Sequence, residues 1–287
     1  MIAPDRAHRP FGGEAEDCPF CPGQERETPP ELAAVGAPGR TADQPGWELR
    51  AFPNKYPAWL PGPDAGSMPA GPARGTHEVL VEAAQHDADP AAWTLAGWER
   101  VLAFWQERVR AAWEDPGASA VILFKNQGAE AGATLDHPHS QLMSLPFIPD
   151  GFPKQDPCGL CHLAAPAMVH SGDAHVVVAA HAPQAPYETW VVPRSHRGAF
   201  HLESPAERSA LARTLYALLR AQRAVVGDRA YNWVLHTGRD AAGRHWRLEW
   251  IPRTARWGGF ERATGHAIVE AGPEETAMRL RAVWGAA

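Results

Sequence analysis

Two histidines separated by a single residue, His137 and His139, lie in the segment His137-Pro138-His139-Ser140-Gln141. On an extended segment the side chains at positions i and i+2 point to the same face, so both imidazoles and Gln141 are expected to face one site. A neutral imidazole nitrogen can ligate a metal ion or attack a phosphorus atom. The spacing therefore suggests that a metal fixes one histidine while its neighbour carries out nucleotidyl transfer.

Composition limits what kind of protein this is. The 287 residues, 45% of them hydrophobic, suffice for one large core or two of ordinary size. A net charge of −6 argues against a protein that tracks a nucleic-acid backbone and leaves a small anionic substrate open. No uncharged apolar run reaches the roughly 18 residues of a membrane span, and the charged N-terminal segment is unlike a signal sequence. We therefore expect a cytoplasmic protein that binds neither nucleic acid nor membrane.

The four cysteines form two C-x-x-C pairs, Cys18 with Cys21 and Cys158 with Cys161. In a reducing compartment such pairs are more typical of metal sites than of disulfides. A thioredoxin-like redox pair is the alternative, but Pro22-Gly23 follow Cys21 in place of a helix that would lower a thiol pKa. We expect zinc at both pairs.

An internal repeat links each cysteine pair to two histidines. The segment 77–86 aligns without gaps on the segment 187–196, and both are strand-like runs that end in histidine. The next shared histidine follows 51 residues later in the first half, at His137, and 49 residues later in the second, at His245. Each half thus offers two cysteines and two histidines in the same order.

Hydrophobic periodicity predicts one long helix in each half. The first is expected to begin at Asp89-Pro90, and the second to begin with a capping box at 204–207 and to end near Gly227. Strands are predicted at 47–52, 77–82, 120–125, 141–146, 174–180, 187–192, 231–236 and 246–251. Hairpin-linked strands with one long helix per half indicate an α+β fold with antiparallel sheets, and the Pro-rich segment 145–157 joins the halves.

Several separated motifs carry a resemblance to a known family. They are Arg6 and Arg9-Pro10, C-P-F-C followed by T-P-P-E, A-F-P-N-K-Y-P, F-K-N-Q-G, G-A-T-L-D-H-P-H-S-Q and H-W-R-L-E. Together they resemble the galactose-1-phosphate uridylyltransferase family, a duplicated branch of the histidine-triad superfamily, over nearly the whole chain. The resemblance implies tandem histidine-triad-like halves, a catalytic one at residues 1–148 and one without a nucleophile at residues 149–287.

The resemblance also implies a ping-pong mechanism. His139 would attack the α-phosphorus of a nucleoside diphosphate (NDP) sugar, release sugar 1-phosphate and pass the nucleotidyl group to an acceptor. A hexose 1-phosphate acceptor would make the protein a uridylyltransferase of galactose metabolism, and inorganic phosphate would make it an ADP-glucose-type or dinucleotide phosphorylase. A zinc-stabilised nucleotide-binding protein without turnover is the remaining alternative. Arg247 stands at the repeat position of His139, and a guanidinium cannot be the nucleophile.

Further residues take expected roles from the same resemblance. Gln141 would hydrogen-bond the bound phosphoryl group. The expected substrate-binding residues are Arg6, Arg9, Asn54, Asn126, Thr134 and Glu261. The expected ligands of two structural zinc ions are Cys18, Cys21, His86 and His137, and Cys158, Cys161, His196 and His245.

Ordinary structural roles compete with several of these assignments. Asn126 and Thr134 could bond their own backbone in a turn, and Glu261 could belong to a turn before a last helix that Pro273 opens. His77 is expected to be a surface or core-packed histidine and not a fourth zinc ligand, and His162 is a less symmetric ligand candidate beside Cys161. The nucleobase, the hexose and a homodimeric state are left open.

Overall fold

The structure, a computed structural model, describes residues 17–58, 67–68, 71–72, 75–152, 158–239 and 244–285. The strands in these ranges are β1 (Ala33–Gly36), β2 (Trp47–Pro53), β3 (Ser67–Met68), β4 (Gly71–Pro72), β5 (His77–Val81), β6 (Ala120–Gln127), β7 (His139–Leu145), β8 (Met168–Ser171), β9 (His175–Ala179), β10 (Thr189–Pro193), β11 (Tyr231–Thr237) and β12 (Arg247–Pro252). The α-helices are α1 (Leu95–Ala112), α2 (Pro205–Val226), α3 (Gly259–Thr264) and α4 (Pro273–Val283).

One large antiparallel sheet dominates the described part of the chain. Its ten strands follow the order β1-β2-β5-β7-β6-β11-β12-β10-β9-β8, while β3 and β4 pair with each other. At the centre, β6 pairs with β11 from Gln127 opposite Tyr231 to Val121 opposite Thr237. This pairing joins the five strands of the large sheet that come before residue 146 to the five that come after residue 167.

Helices α1, α2 and α4 bury one face of the sheet. The main core combines their apolar side chains with strand residues such as Leu80, Leu123 and Leu142. Because successive side chains of a strand point to opposite faces, positions 139 and 141 on β7, at odd separations from Leu142, face away from the helices. The candidate catalytic residues therefore lie on the sheet face opposite the helical layer.

A tryptophan cluster ties the two sets of strands together. Trp98 and Trp105 of α1 pack on Trp233 of β11, with ring centroids 5.6 and 5.4 Å apart. All three rings are at most 1% exposed. Helix α1 follows the first strands in the chain but packs on a strand of the second set, so the two sets share one core.

Every predicted strand is present, with bounds within two residues of those predicted. The first helix starts later than predicted, because Asp89 caps only a short 3-10 turn at Pro90–Ala92 and Thr94 accepts the hydrogen bond of Gly97 N–H that caps α1. The capping box at Ser204 and the end at Gly227 are confirmed for α2. None of the helices in the described ranges combines the length and apolarity that crossing a membrane requires.

Candidate active site and metal centres

A Cys2His2 cluster lies immediately before β7. The Sγ and Nδ1 atoms of Cys18, Cys21, His86 and His137 all lie within 4.8 Å of one another. Cys21 Sγ is 3.4 Å from His86 Nδ1 and 3.5 Å from His137 Nδ1. Those separations match the edges of a tetrahedron with Zn–S and Zn–N bonds of about 2.3 and 2.0 Å. The structure thus brings together the four residues expected to form the first site.

The surroundings of this cluster fit a metal ion. His137 Nε2 lies 2.7 Å from the carbonyl oxygen of Ala83, to which it donates, and this leaves Nδ1 as the ligand atom. Burial raises the pKa of Cys18 to about 11, so a thiolate at this buried position needs a positive partner. A divalent cation would supply that charge, and the donor set is the one that closed structural zinc sites use.

The second cluster has the same composition and is more open to solvent. Cys158, Cys161, His196 and His245 also lie within 4.8 Å of one another by their ligand atoms, and His162 is not part of the group. His245 donates from Nε2 to the carbonyl oxygen of Pro193 at 2.9 Å, as His137 does to Ala83. Cys161 is exposed, whereas Cys18 in the first cluster is fully buried.

His139 is the first residue of β7 and is 7% exposed. Its Nδ1 lies 2.8 Å from the carbonyl oxygen of His137 and donates to it, so the other nitrogen, Nε2, carries the lone pair. Burial, with a smaller effect of the positive charge of Lys125, lowers the pKa of His139 to about 4. The imidazole is therefore neutral near pH 7 and can act as a nucleophile.

A buried ion pair lies behind His139, on the helical side of the sheet. Lys125 Nζ donates to Glu82 at 2.7 Å and to the carbonyl oxygen of His139 at 3.3 Å. The other carboxylate oxygen of Glu82 accepts from the Ser140 hydroxyl and, at 3.2 Å, from Trp105 Nε1. Both charged side chains are 0% exposed. This network fixes the backbone of β7 at His139 and Ser140.

A cavity of about 240 Å³ opens beside His139. Its wall combines aromatic rings with amide, hydroxyl and charged side chains, a combination that suits a ligand with an apolar ring and a polar group. Its aromatic lining residues are Phe20, Phe52, Tyr56 and Phe124. Its polar lining residues include Asn54, Lys55, Asn126, Thr134 and Gln141. The structure therefore gathers four of the predicted substrate and phosphoryl contacts, Asn54, Asn126, Thr134 and Gln141, around the predicted nucleophile.

Sequence reasoning missed the role of His77. Ala58 N–H donates to His77 Nδ1 at 3.0 Å, so the ring carries its proton on Nε2 and donates to Gln141 Oε1 at 2.9 Å. Asn54 Nδ2 lies 3.4 Å from the same oxygen. With its oxygen engaged, the Gln141 amide keeps its NH2 group for another acceptor. The pairing of β5 with β7 places His77 diagonally across from Gln141. A single sequence does not show this pairing, so it gave no signal for the role of His77.

The remaining predicted residues fall in three groups. Arg6 and Arg9 lie outside the described residues. Glu261 lies in α3 and accepts from Gly258 N–H at 3.0 Å, as its alternative assignment to a local turn anticipates, and it is not among the described residues that line the cavity. Arg247 pairs with Glu249 at 2.7 Å, so the position that corresponds to His139 in the second set of strands holds an ion pair.

Comparison with known proteins agrees with this site. A family model described as the N-terminal domain of galactose-1-phosphate uridyl transferase matches residues 9–149. ADP-glucose phosphorylase of Arabidopsis thaliana is 29% identical, and the match covers 99% of this chain and 89% of that protein. Galactose-1-phosphate uridylyltransferase of Thermotoga maritima is 23% identical over 228 residues, which cover 72% of this chain and 67% of that protein.

Solved structures extend the likeness to the whole fold. A crystal structure of ADP-glucose phosphorylase from Arabidopsis thaliana with bound ADP-glucose is 30% identical, with a TM-score of 0.79 and coverage of 97% of this chain and 93% of that one. A structure of a uridylyltransferase is 26% identical, with a TM-score of 0.77 and coverage of 96% and 93%. These matches include both sets of strands, so the chain belongs to the galactose-1-phosphate uridylyltransferase family of nucleotidyltransferases.

Proposed function

We propose that this chain transfers a nucleoside monophosphate from an NDP-hexose to an acceptor phosphate through a covalent nucleotidyl-His139 intermediate. The observation that carries the proposal is the geometry of His139. Its Nδ1 is bonded to the backbone of His137, which leaves Nε2 as the nitrogen available beside a cavity lined by aromatic and amide side chains.

The proposed reaction has two balanced steps. The Nε2 lone pair of His139 attacks the α-phosphorus, the bond from that phosphorus to the bridging oxygen breaks, and hexose 1-phosphate leaves with the bond electrons. An oxygen of the acceptor phosphate then attacks the α-phosphorus, the P–N bond breaks, and His139 regains its lone pair. His139 is neutral before it attacks and becomes neutral again when the P–N bond breaks. The cycle therefore needs no separate base to deprotonate the imidazole.

The side chains around His139 suit the charge that the α-phosphate carries. Gln141 would donate from Nε2 to a phosphoryl oxygen, because its Oε1 already accepts from His77. Asn126 and Thr134 line the same cavity and would donate to the remaining oxygens. Arg6 and Arg9 stay proposed as charge partners of the phosphates, and Glu261 stays proposed as a contact of the hexose, contributed across a homodimer.

The acceptor separates two versions of this reaction. The ADP-glucose phosphorylase of Arabidopsis thaliana matches more of this chain than the uridylyltransferase of Thermotoga maritima does, at higher identity. That difference favours ADP-glucose with inorganic phosphate as the acceptor. The uridylyltransferase version, with UDP-glucose and a hexose 1-phosphate in galactose metabolism, is the second candidate because both activities occur in the family.

We further propose that the protein consists of tandem histidine-triad-like halves, residues 1–148 and 149–287, each with a structural zinc ion. The reversed strand order on the two sides of the β6–β11 junction and the matching Cys2His2 clusters support this division. When bound, zinc would supply structural cross-links between the cysteine loops and the strands. In the first half this cross-link would fix His137, whose carbonyl orients His139.

Covalent labelling tests the mechanism. The protein is incubated with UDP-glucose or ADP-glucose labelled at the α-phosphate, denatured and assayed for acid-labile label. We expect one of the two to label the wild type and neither to label His139→Asn. A wild type that takes up no label, which is the outcome for a zinc-stabilised binding protein without turnover, contradicts the covalent mechanism, as does label that persists in His139→Asn.

A second assay identifies the acceptor. The labelled protein is freed of substrate and mixed with inorganic phosphate or with galactose 1-phosphate. Inorganic phosphate is expected to release the label as a nucleoside diphosphate. Faster release by galactose 1-phosphate contradicts the phosphorylase version and supports the uridylyltransferase version.

A further inference from the structure

An asparagine from the second set of strands lies against the candidate site. Asn232 on β11 is the register partner of Asn126 on β6, across the junction of the sheet. Its Nδ2 donates to Asn126 Oδ1 at 2.7 Å and to the carbonyl oxygen of Ala131 at 2.9 Å. Asn232 is 7% exposed. A buried side chain from β11 therefore bonds a residue that lines the cavity beside His139.

The orientation of both amides follows from the chemistry of Arg253. Arg253 Nε lies 2.5 Å from Asn232 Oδ1, and a guanidinium has donors only, so the atom facing it must be the amide oxygen. The NH2 group of Asn232 must then face Asn126. Since that NH2 group also only donates, it must meet the oxygen of the Asn126 amide. Arg253 thus determines, through Asn232, which end of Asn126 is engaged.

The end of the Asn126 amide that does not face Asn232 is consequently its NH2 group. Asn126 Nδ2 lies 3.4 Å from the carbonyl oxygen of Gly132, a long hydrogen bond on the side of the cavity. An NH2 group suits an anionic phosphate oxygen, whereas the opposite orientation would present a carbonyl oxygen and repel it. The bond from Asn232 to Ala131 also holds the loop that carries Gly132 and Thr134.

We infer that Asn232 and Arg253 are positioning residues for nucleotidyl transfer, which turn the NH2 group of Asn126 toward the phosphates of the substrate. This inference rests on the proposed role of Asn126 in phosphate binding. It gives the half without a nucleophile a part in the reaction. The junction between β6 and β11 then serves the site as well as the fold.

Asn232→Asp removes the donor to Asn126, and with it the bond to the carbonyl oxygen of Ala131, while nearly keeping the size of the side chain. Aspartate has nearly the same shape and keeps the partner of Arg253, now as an ion pair, so the fold is retained. A carboxylate cannot donate to Asn126 Oδ1, and Asn126 is expected to turn its NH2 group toward Asp and its oxygen toward the cavity. We expect labelling of His139 from ADP-glucose or UDP-glucose to slow by about tenfold to a hundredfold, the range for a lost hydrogen bond to a charged group.

A double-mutant cycle separates positioning from a general structural defect. If Asn232 acts through Asn126, the double variant Asn126→Ala with Asn232→Asp is expected to label no more slowly than Asn126→Ala alone. Arg253→Met should slow labelling in the same way. Arg256→Met is the matched control, because Arg256 is an exposed arginine nearby that pairs with Glu130, and it should label at the wild-type rate.

Two results would overturn the inference: wild-type labelling by Asn232→Asp, or a double variant slowed by the product of the two single effects. Failure of the proposed function is distinguishable, because then the wild type itself takes up no label. In that event the affinity of the protein for ADP-glucose and UDP-glucose, measured by calorimetry, decides the inference. A loss of about tenfold or more in Asn232→Asp supports it, and unchanged affinity overturns it.

Discussion

His77 is placed to act on the proposed reaction through Gln141, since it bonds that side chain and is not among the described residues that line the cavity. Its single proton is fixed on Nε2 because its other nitrogen accepts from Ala58 N–H, so it can only donate to Gln141 Oε1. This bond decides which end of the Gln141 amide is left for a phosphoryl oxygen. A buried neutral histidine is well suited to the task, since its ring is stiff and its donor and acceptor are distinct.

Replacing His77 by leucine should therefore weaken phosphoryl binding more than it weakens the fold. We expect His77→Leu to slow labelling of His139 by about tenfold or more, because Gln141 is free to rotate. His77→Gln carries an amide NH2 that can replace the lost donor and should recover part of the rate. Labelling kinetics and thermal denaturation of the two variants check this, with exposed His266→Gln as the control. Wild-type labelling by His77→Leu would contradict this role, and equal slowing in both variants would mean that the loss of the donor is not what slows labelling.

Local spacing explains which site residues were predictable. His139 and Gln141 could be assigned to one site because the two-residue period of a strand fixes their faces within β7, whereas His137 lies before the strand and belongs to the metal cluster. His77 and Asn232 reach the same site from other strands, and only the register of the sheet decides what they meet. The spacing of residues within a single sequence does not reveal how two strands pair, so these two residues could not be assigned to the site.

Strands β5, β6 and β7 are connected by charge as well as by their backbone hydrogen bonds. Lys125 on β6 bonds Glu82, just after β5, and the carbonyl oxygen of His139 on β7. Glu82 also accepts from Ser140 and Trp105. The pair lies in the core, so each charge depends on the other for its stabilisation.

Removing one charge of this pair should lower the stability of the fold strongly, and removing both charges should lower it less. Lys125→Met leaves Glu82 as an uncompensated buried carboxylate, and we expect unfolding to become about 3–5 kcal/mol more favourable. Adding Glu82→Gln removes the stranded charge, while its amide oxygen can still accept from Ser140 and Trp105, so part of the stability should return. Denaturant unfolding of the three proteins measures both effects. A double variant that is less stable than Lys125→Met would contradict this account.

The ungapped alignment of segments 77–86 and 187–196 matches the histidines of the two Cys2His2 clusters correctly. It is displaced by one residue for the strands within those segments. The gapless alignment matches Val81 with Val191, but Val191 faces the main core. Val192 is the residue that packs with Leu160 near the second cysteine pair, as Val81 packs with Phe20 near the first. The cysteines and histidines mark loops, whereas strand positions also depend on which face is buried, which an ungapped comparison does not weigh.

At the scale of the whole molecule, the two clusters differ in what surrounds them. The first has a fully buried cysteine and a 1% exposed His137, and it borders the residue proposed as the nucleophile. The second has an exposed Cys161, and its His245 precedes by two residues Arg247, which pairs with Glu249. A metal ion bound in the second cluster would therefore be more accessible to a competing ligand, and its loss should affect the reaction less.

These differences predict an ordered loss of metal. Protein purified without added metal should contain about two zinc ions per chain, and a chelator should remove one of them well before the other. Cys161→Ser should lose one zinc ion and still label at His139. Cys18→Ser should lose the other zinc ion together with labelling, because the carbonyl oxygen of His137 that holds His139 Nδ1 is then no longer fixed. Elemental analysis of each variant, paired with the labelling assay, tests the order. Metal-free protein that stays stably folded would contradict both sites, and release of the two ions in a single step would contradict the difference between them.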